Sequence, residues 1–485
     1  MKLSEYLLHD GLALAMLVRE KEVRPIELLE CAVEQMLRVQ PFINAVCWEE
    51  LDMARTVAFS MEQSPVRGSF AGVPMLVKDI MLAVSGFRLT NGSRLFAGVR
   101  CEHDSELAAR LRRAGFNFFG RTTTPEFGAN CTTESPAYGA PTRNPWDTDY
   151  SSGGSSGGAA AAVAAGILPV AHASDGGGSI RIPAACCGLF GLKPTKMRNP
   201  LGPVAGEGWG GMSVEHVVSR SVRDSAAVLD ATHGADLGAP YAAPAYMGKY
   251  LAELERPLQP LRIGLILDSP SGAPVHQDCI AAVEDAARLC EGLGHQVEHV
   301  TLPDLDFEAF GHAMRLIVAA GTSQAVRVGS ASLGVRPSLE SLEISSFTSV
   351  DFALRHSAAD YADAIARMHQ VGRRLGTFME SYDVLLTPTL TTPPARIGRY
   401  AADRDYVTHR TDTLLYTAFL PYFNASGQPA MSVPLFWNEN GLPIGVQFVG
   451  RLGREDILFR LAGQLERARP WFDRLSPLAL PPQAG

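Results

Sequence analysis

Three observations place the chain in the α/β class, with a sheet covered by helices. Its 485 residues are 46% hydrophobic and 19% charged, which supplies a large core and is the wrong balance for a disordered chain. Segments with apolar residues at helical spacing alternate with short apolar runs bounded by turn residues. A glycine-, serine- and alanine-rich stretch over 151–195 occupies the middle of that alternation.

The elements follow in order. Residues 1–65 read as helices, one of them opening at Pro25 before IELLECAVEQMLRV. FAGVPMLVKDI, over 70–80, reads as a buried strand with Lys78 near its end. SELAARLRRA, over 105–114, reads as a helix stopped by Gly115, and FNFFG, over 116–120, as the next strand. Residues 235–260, rich in Ala, Pro and Tyr, read as a surface connection. A second α/β part then gives a strand over 262–267, a helix over 277–293 and a strand over 296–301. Residues 305–380 read as helical, and YDVLLT over 382–387 as a buried strand ended by Pro388. Runs at 430–434 and 445–450 flank Asn440-Gly441 as a hairpin, and 454–467 closes as a helix. There is no internal repeat and no linker that splits the chain. The expected organisation is one domain over 1–485, made of a helical region (1–65), a core (66–230) and a second part that completes the sheet and pocket (262–485).

Composition narrows the function. A net charge of -8 argues against bulk binding of nucleic acid or an anionic membrane. The eight cysteines are scattered without a CxxC pair, so neither a disulfide scaffold nor a zinc site is expected, and a reducing cytoplasm is the expected setting. Ser151 to Ser174 carries no Asp, Glu, Lys or Arg, but its Gly, Ala and Ser gain little from a bilayer. It fits a helix packed deep inside the protein, where small residues let backbones approach closely.

Two motif matches fail on context. Gly206-Glu-Gly208-Trp-Gly210-Gly211 fits GxGxxG, but no strand precedes it. Gly153-Gly154-Ser155-Ser156-Gly157 fits GxSxG, but Asp-Thr-Asp-Tyr-Ser-Ser in front of it is a loop. The twelve histidines lie singly, and His172, nearest the glycine-rich centre, reads as a core residue. What remains is a constellation of three parts: Lys78 at the end of its strand, the paired serines Ser155 and Ser156 among glycines, and Ser174-Asp175-Gly176-Gly177-Gly178-Ser179. A serine nucleophile needs a base. A lysine kept neutral by apolar neighbours such as Val73, Met75 and Val77 can serve. Gly176, Gly177 and Gly178 present backbone N–H groups with no side chain in the way, suited to a developing oxyanion.

GGSSGGAAAAVAAGILPVAHASDGGGSIRIPAACCGLFGLKPT, over 153–195, resembles the signature of the amidase signature family. The resemblance extends through GVPMLVKD (72–79), GRTTTPEFG (120–128), YGAPTRNPW (138–146), SRSVRD (219–224) and FNASGQPAMSVPLFWNENGLPIGVQFVG (423–450). It implies a mixed central sheet with helices on both faces and a Ser–cis-Ser–Lys triad. In that triad Ser179 is the nucleophile, Ser155 the bridging cis-serine and Lys78 the base. Gly176 to Ser179 would form the oxyanion hole, Ser156 and Ser174 would supply supporting hydroxyls, and Asp175 and Arg181 would hold the loop. Gly176 departs from the Thr, Ile or Ala common at its position. No metal or organic cofactor is implied.

The family contains acylamide, aryl-amide, peptide-amide, carbamate and fatty-amide hydrolases, so membership leaves the substrate open. TTESPAYGAPTRNPW and GREDILFRLAGQLE make the chain most similar to hydrolases of nylon-type cyclic amides and aryl acylamides. The alternative is the glutamine-hydrolysing subunit of a tRNA-dependent amidotransferase, which usually has Tyr-Gly-Arg where this chain has Lys196-Met-Arg-Asn199. Asn130, Cys131, Tyr138, Trp209, Phe347 and the 315–350 region are the candidates for shaping the pocket. The expected partner is a small-molecule amide, with neither nucleic acid nor membrane; a homodimer is compatible with the sequence.

Overall fold

The structure, a computed structural model, describes residues 1–63 and 67–480. The expected boundary at 65 and 66 lies outside the described residues. The first sheet contains β1 (Val46–Glu49), β2 (Pro74–Lys78) and β3 (Asn117–Thr122), in the order β1-β3-β2. β2 runs parallel to β3 and places Lys78 opposite Thr122. β1 amends the reading of residues 1–65 as helices alone. Its four residues are too short to show an alternating pattern and gain strand geometry from antiparallel pairing with β3. Around it lie the expected helices Gly11–Arg19, Pro25–Ile43 and Leu51–Gln63.

The second sheet has eight strands: β4 (Val170–Asp175), β5 (Phe190–Lys193), β6 (Val214–Ser219), β7 (Arg262–Leu265), β8 (Gln296–His299), β9 (Val384–Pro388), β10 (Ala430–Trp437) and β11 (Pro443–Gly450). Their order is β4-β6-β5-β10-β11-β9-β7-β8. β7 pairs in parallel with β8 and β9. The remaining pairings are antiparallel, so the sheet is mixed. Strands from both halves of the chain therefore share one sheet. β10 runs past Pro434, where the sequence reading ended it. The register shifts between Val433 and Phe436, which accommodates a residue without a ladder N–H.

Alternation along β10 and β11 divides the faces. Met431, Val433, Ile444, Val446 and Phe448 join a core with residues of the helices Val222–Thr232, Gln277–Gly292 and Glu455–Ala468. Of the opposite residues, Gly445 and Gln447 meet the helix Arg181–Cys187, and Ser432 Oγ lies beside Gly445. Ala430 and Val449, on that same side, meet the helices Phe307–Leu333 and Ala358–Phe378.

The alanine-rich helix Gly157–Ala164 is buried along its whole length and packs against strands of both sheets. A Cβ at Gly158 would lie 2.5 Å from Thr123 N and 2.7 Å from Ala45 O, so only glycine permits this approach. Among the described residues no helix is long and apolar enough to cross a membrane.

Candidate active site

Lys78 ends β2 with its backbone tied on both sides. Its N–H donates to His172 Nδ1 at 3.3 Å, and its carbonyl accepts from Arg121 Nη1 at 2.8 Å. This gives the buried imidazole of His172 the structural role expected of it. The side chain then runs inward, and Nζ reaches Ser155 Oγ at 2.7 Å and Ser174 Oγ at 3.0 Å. Burial drives the ammonium down to about 7, although Asp175 and Glu215 pull the other way. Ser155 follows a cis peptide bond from Gly154. Ser174 is held at the end of β4 by Ser156, whose Oγ accepts from Ser174 N at 3.2 Å and donates to Ser174 O at 3.1 Å.

Asp175 organises the turn that follows. Its carboxylate accepts from Gly178 N at 2.7 Å, Ile180 N at 3.2 Å and Asn424 Nδ2 at 2.9 Å. Arg181 closes on it as a fork, Nε at 2.9 Å and Nη2 at 3.0 Å. Burial alone would raise this carboxyl, but the Arg181 guanidinium, Lys193 and the Asn424 amide hold it well below the usual carboxylate range. Arg181 also donates to Leu420 O, Gln447 Oε1 and Asn424 Oδ1, at 3.2, 2.7 and 2.6 Å. The turn bearing Ser179 is thus fastened to the second half of the chain.

Gly178 departs from its expected place in the oxyanion hole, because its N–H is already given to Asp175. The N–H groups of Gly176, Gly177 and Ser179 meet no acceptor among the described residues, and neither does Ser179 Oγ. Ser179 lines a cavity of about 500 Å³ together with Ser155, Ser174 and Gly176. The apolar wall comes from Ile80, Met81, Phe127, Val204 and Trp209. A Cβ at Gly176 would lie 2.7 Å from Trp209 Cε3, so the glycine at this position makes room for the indole.

Of the pocket residues expected from sequence, Trp209 lines the cavity, as do Gly321, Thr322, Gln324 and Ala325 of the 315–350 region. The others do not. Asn130 donates to Tyr400 O at 2.8 Å and accepts from Cys131 N at 2.7 Å, so its amide is consumed by the backbone. Cys131 is buried, and burial pushes its thiol well above the ordinary value. Tyr138 donates its hydroxyl to Asp79 at 2.8 Å. Phe347 packs beside Leu95, Phe96 and Phe127. Sequence reasoning missed Asn91 and Glu207 on the wall and the clamp residues Asn424 and Gln447. The last two lie inside the quoted 423–450 segment, which was the available signal.

A lysine that titrates near neutrality, a hydroxyl against it, a second hydroxyl free to react and unpaired N–H groups beside it are the parts that nucleophilic acyl transfer requires. A family model described as Amidase matches residues 27–459. The chain is 36% identical over 484 residues to the 6-aminohexanoate-cyclic-dimer hydrolase of Paenarthrobacter ureafaciens, covering 97% of each. A solved structure of 6-aminohexanoate cyclic dimer hydrolase superposes with a TM-score of 0.92 at 36% identity, over 98% of this chain and 99% of that one. The crystal structure of a bacterial aryl acylamidase of the amidase signature family superposes with a TM-score of 0.87 at 28% identity, over 99% of each chain.

Proposed function

The chain belongs to the amidase signature family and is an amidase, and from that premise we propose that Ser179 is its nucleophile, Lys78 its base and Ser155 the hydroxyl that joins them. The observation that carries this reading is the 2.7 Å contact between Lys78 Nζ and Ser155 Oγ, in the cavity that also holds a Ser179 hydroxyl with no hydrogen bond among the described residues.

In the reactive geometry Ser179 Oγ, which meets no acceptor among the described residues, turns to Ser155 Oγ. Neutral Lys78 then takes the Ser155 proton as Ser155 takes the proton of Ser179. Ser179 Oγ bonds to the amide carbonyl carbon. The N–H groups of Gly176, Gly177 and Ser179 are placed to receive the oxyanion. The tetrahedral species collapses, the C–N bond breaks, and the relay returns the proton to the leaving amine. Water then attacks the acyl-enzyme, giving its proton to the same relay, and the carboxylate product leaves with Ser179 restored. The apolar wall of Ile80, Met81, Phe127 and Trp209 suits an alkyl or aryl substituent, so cyclic and aryl amides come first as substrates. Similarity to a hydrolase named for a cyclic dimer of 6-aminohexanoate supports the same choice.

The test is turnover of p-nitroacetanilide and of a cyclic diamide by the wild type and by Ser179→Ala. The expected result is hydrolysis by the wild type and a loss of at least about a thousandfold in the variant. Equal activity in both would remove Ser179 from the mechanism. Silence of the wild type on both compounds, with glutamine hydrolysed only beside a partner, would favour the amidotransferase reading instead.

A further inference from the structure

Behind the lysine of the site lies a buried acid that the hydrolytic steps do not use. β4 and β6 pair antiparallel, with Ser174 opposite Glu215 and His172 opposite Val217. Residues 172 and 174 point to one side of the sheet, and Glu215 points with them. That side faces β2, because Ser174 Oγ meets Lys78 Nζ there. Glu215 and His172 are both buried, and His172 Nε2 stands 3.3 Å from Glu215 Oε1. Neither atom has another hydrogen-bond partner among the described residues. His172 Nδ1 accepts the Lys78 N–H, so the ring proton sits on Nε2, toward the carboxylate, and the imidazole is neutral.

Two carboxylates act on the Lys78 ammonium, Asp175 and Glu215, and they are not equivalent. The Asp175 charge is answered by the Arg181 fork at 2.9 and 3.0 Å. Glu215 has no Lys or Arg nitrogen within 4.0 Å among the described residues, and the ring beside it carries no charge. Its neighbour His216 points to the other face and meets Ser225 Oγ. The other elements packed on β2 bring no further charge to Nζ. Arg121 of β3 turns to the Lys78 and Leu82 carbonyls. The helix Gly157–Ala164 has no titratable side chain, and the charged residues of Pro25–Ile43 bond elsewhere or lie exposed. The cation that answers Glu215 is Lys78 itself.

Resting on the amidase mechanism proposed above, we propose that Glu215 is a positioning residue for that reaction: its charge keeps the buried Lys78 basic enough to draw a proton, and its contact with His172 steadies the imidazole that holds the Lys78 backbone. Burial favours the free amine, and the Glu215 charge favours the ammonium. Without Glu215 more of the lysine is neutral in mild acid, but each neutral lysine is a weaker base.

The test reads the titration of Lys78 directly. The chain has six lysines, Lys2, Lys21, Lys78, Lys193, Lys196 and Lys249, so lysine labelled with carbon-13 at the ε position gives few NMR signals, and Lys78→Met identifies the one sought. In Glu215→Gln its titration midpoint is expected to fall by about one pH unit, the effect of losing one nearby opposite charge. The acid limb of kcat/KM on p-nitroacetanilide is expected to move with it. The rise from pH 6 to pH 8 then shrinks from about tenfold to about twofold, while the plateau falls about threefold. Glu215→Met, a second uncharged variant, is expected to act alike. Glu215→Asp keeps the charge and is expected to keep both midpoints near those of the wild type. A Lys78 midpoint unmoved in the uncharged variants, even with a lowered plateau, overturns the inference and leaves the amidase mechanism standing. A Lys78 midpoint that falls while the kcat/KM limb stays in place removes Lys78 as the base, and the inference falls with the mechanism on which it rests.

Discussion

Arg181→Ala would break the clamp on the turn that bears Ser179, and its cost follows from the partners left behind. Arg181 is fully buried and donates to Asp175 twice and to Leu420 O, Gln447 Oε1 and Asn424 Oδ1 once each. Its loss leaves the Asp175 charge buried with the Gly178 and Ile180 N–H groups, the Asn424 amide and the more distant Lys193 around it. Removing one partner of a buried ion pair costs about 3–5 kcal/mol, so a destabilisation of about 4 kcal/mol is expected. Followed by urea unfolding, with a slope of about 3 kcal/mol/M, this moves the midpoint down by about 1.3 M. The pH dependence has a defined sign. Asp175 is held below its ordinary value in the folded protein, so its stabilisation is present above about pH 4 and fades as pH falls further. The gap between wild type and variant should therefore be steady at neutral pH and narrow in acid. The double replacement Asp175→Asn with Arg181→Met is expected to cost less than the sum of the two single changes, because neither partner is then left charged. An Arg181→Ala midpoint within about 0.3 M of the wild type, at an unchanged slope, would refute the claim that this pair anchors the turn.

The remaining predictions concern the base and the packing beneath it. Only neutral Lys78 can accept a proton, and burial brings it down to about 7, so kcat/KM should rise about tenfold from pH 6 to pH 8 and level off above. A profile that is flat across this interval would exclude Lys78 as the titrating base. Gly158→Ala would place a Cβ 2.4 Å from Thr123 Oγ1 and 2.5 Å from Thr123 N, and the backbone atom cannot yield. A loss of about 1–3 kcal/mol in thermal or urea unfolding is expected, whereas Gly98→Ala, with nothing within 4 Å, should stay within about 0.5 kcal/mol.

The site was legible wherever its chemistry is local. Ser174, Asp175, Ser179 and Arg181 fall within eight residues, and Asp175 and Arg181 do pair across one turn. Lys78 was recognisable because a lysine ending an apolar strand has few innocent explanations, and it meets Ser155 as the signature implied. What escaped depends on long-range contact. Gln447 sits in a strand whose alternation hides one buried amide aimed at Arg181, 266 positions earlier. Proximity in sequence also misled: Asn130, Cys131 and Tyr138 neighbour a cavity-lining segment, yet their polar groups turn to Tyr400 O and Asp79 or are buried. That the sheet is mixed was implied by the family resemblance, but the order of its eight strands was not legible, since periodicity alone assigns strands without assigning neighbours. Glu207 left no pattern at all, because an exposed acid in a glycine-rich loop looks like solvent-facing surface until a cavity is found behind it.

The span of the Arg181 clamp has a consequence for synthesis on the ribosome. Lys78, Ser155 and Ser179 have all been translated well before Leu420, Asn424 and Gln447. A chain that stops short of those residues owns the whole proposed triad but lacks the fastening that shapes the turn. On the proposed mechanism hydrolytic power therefore waits for residues 420–447, and a product terminated before them holds the proposed nucleophile Ser179 in an unarmed state.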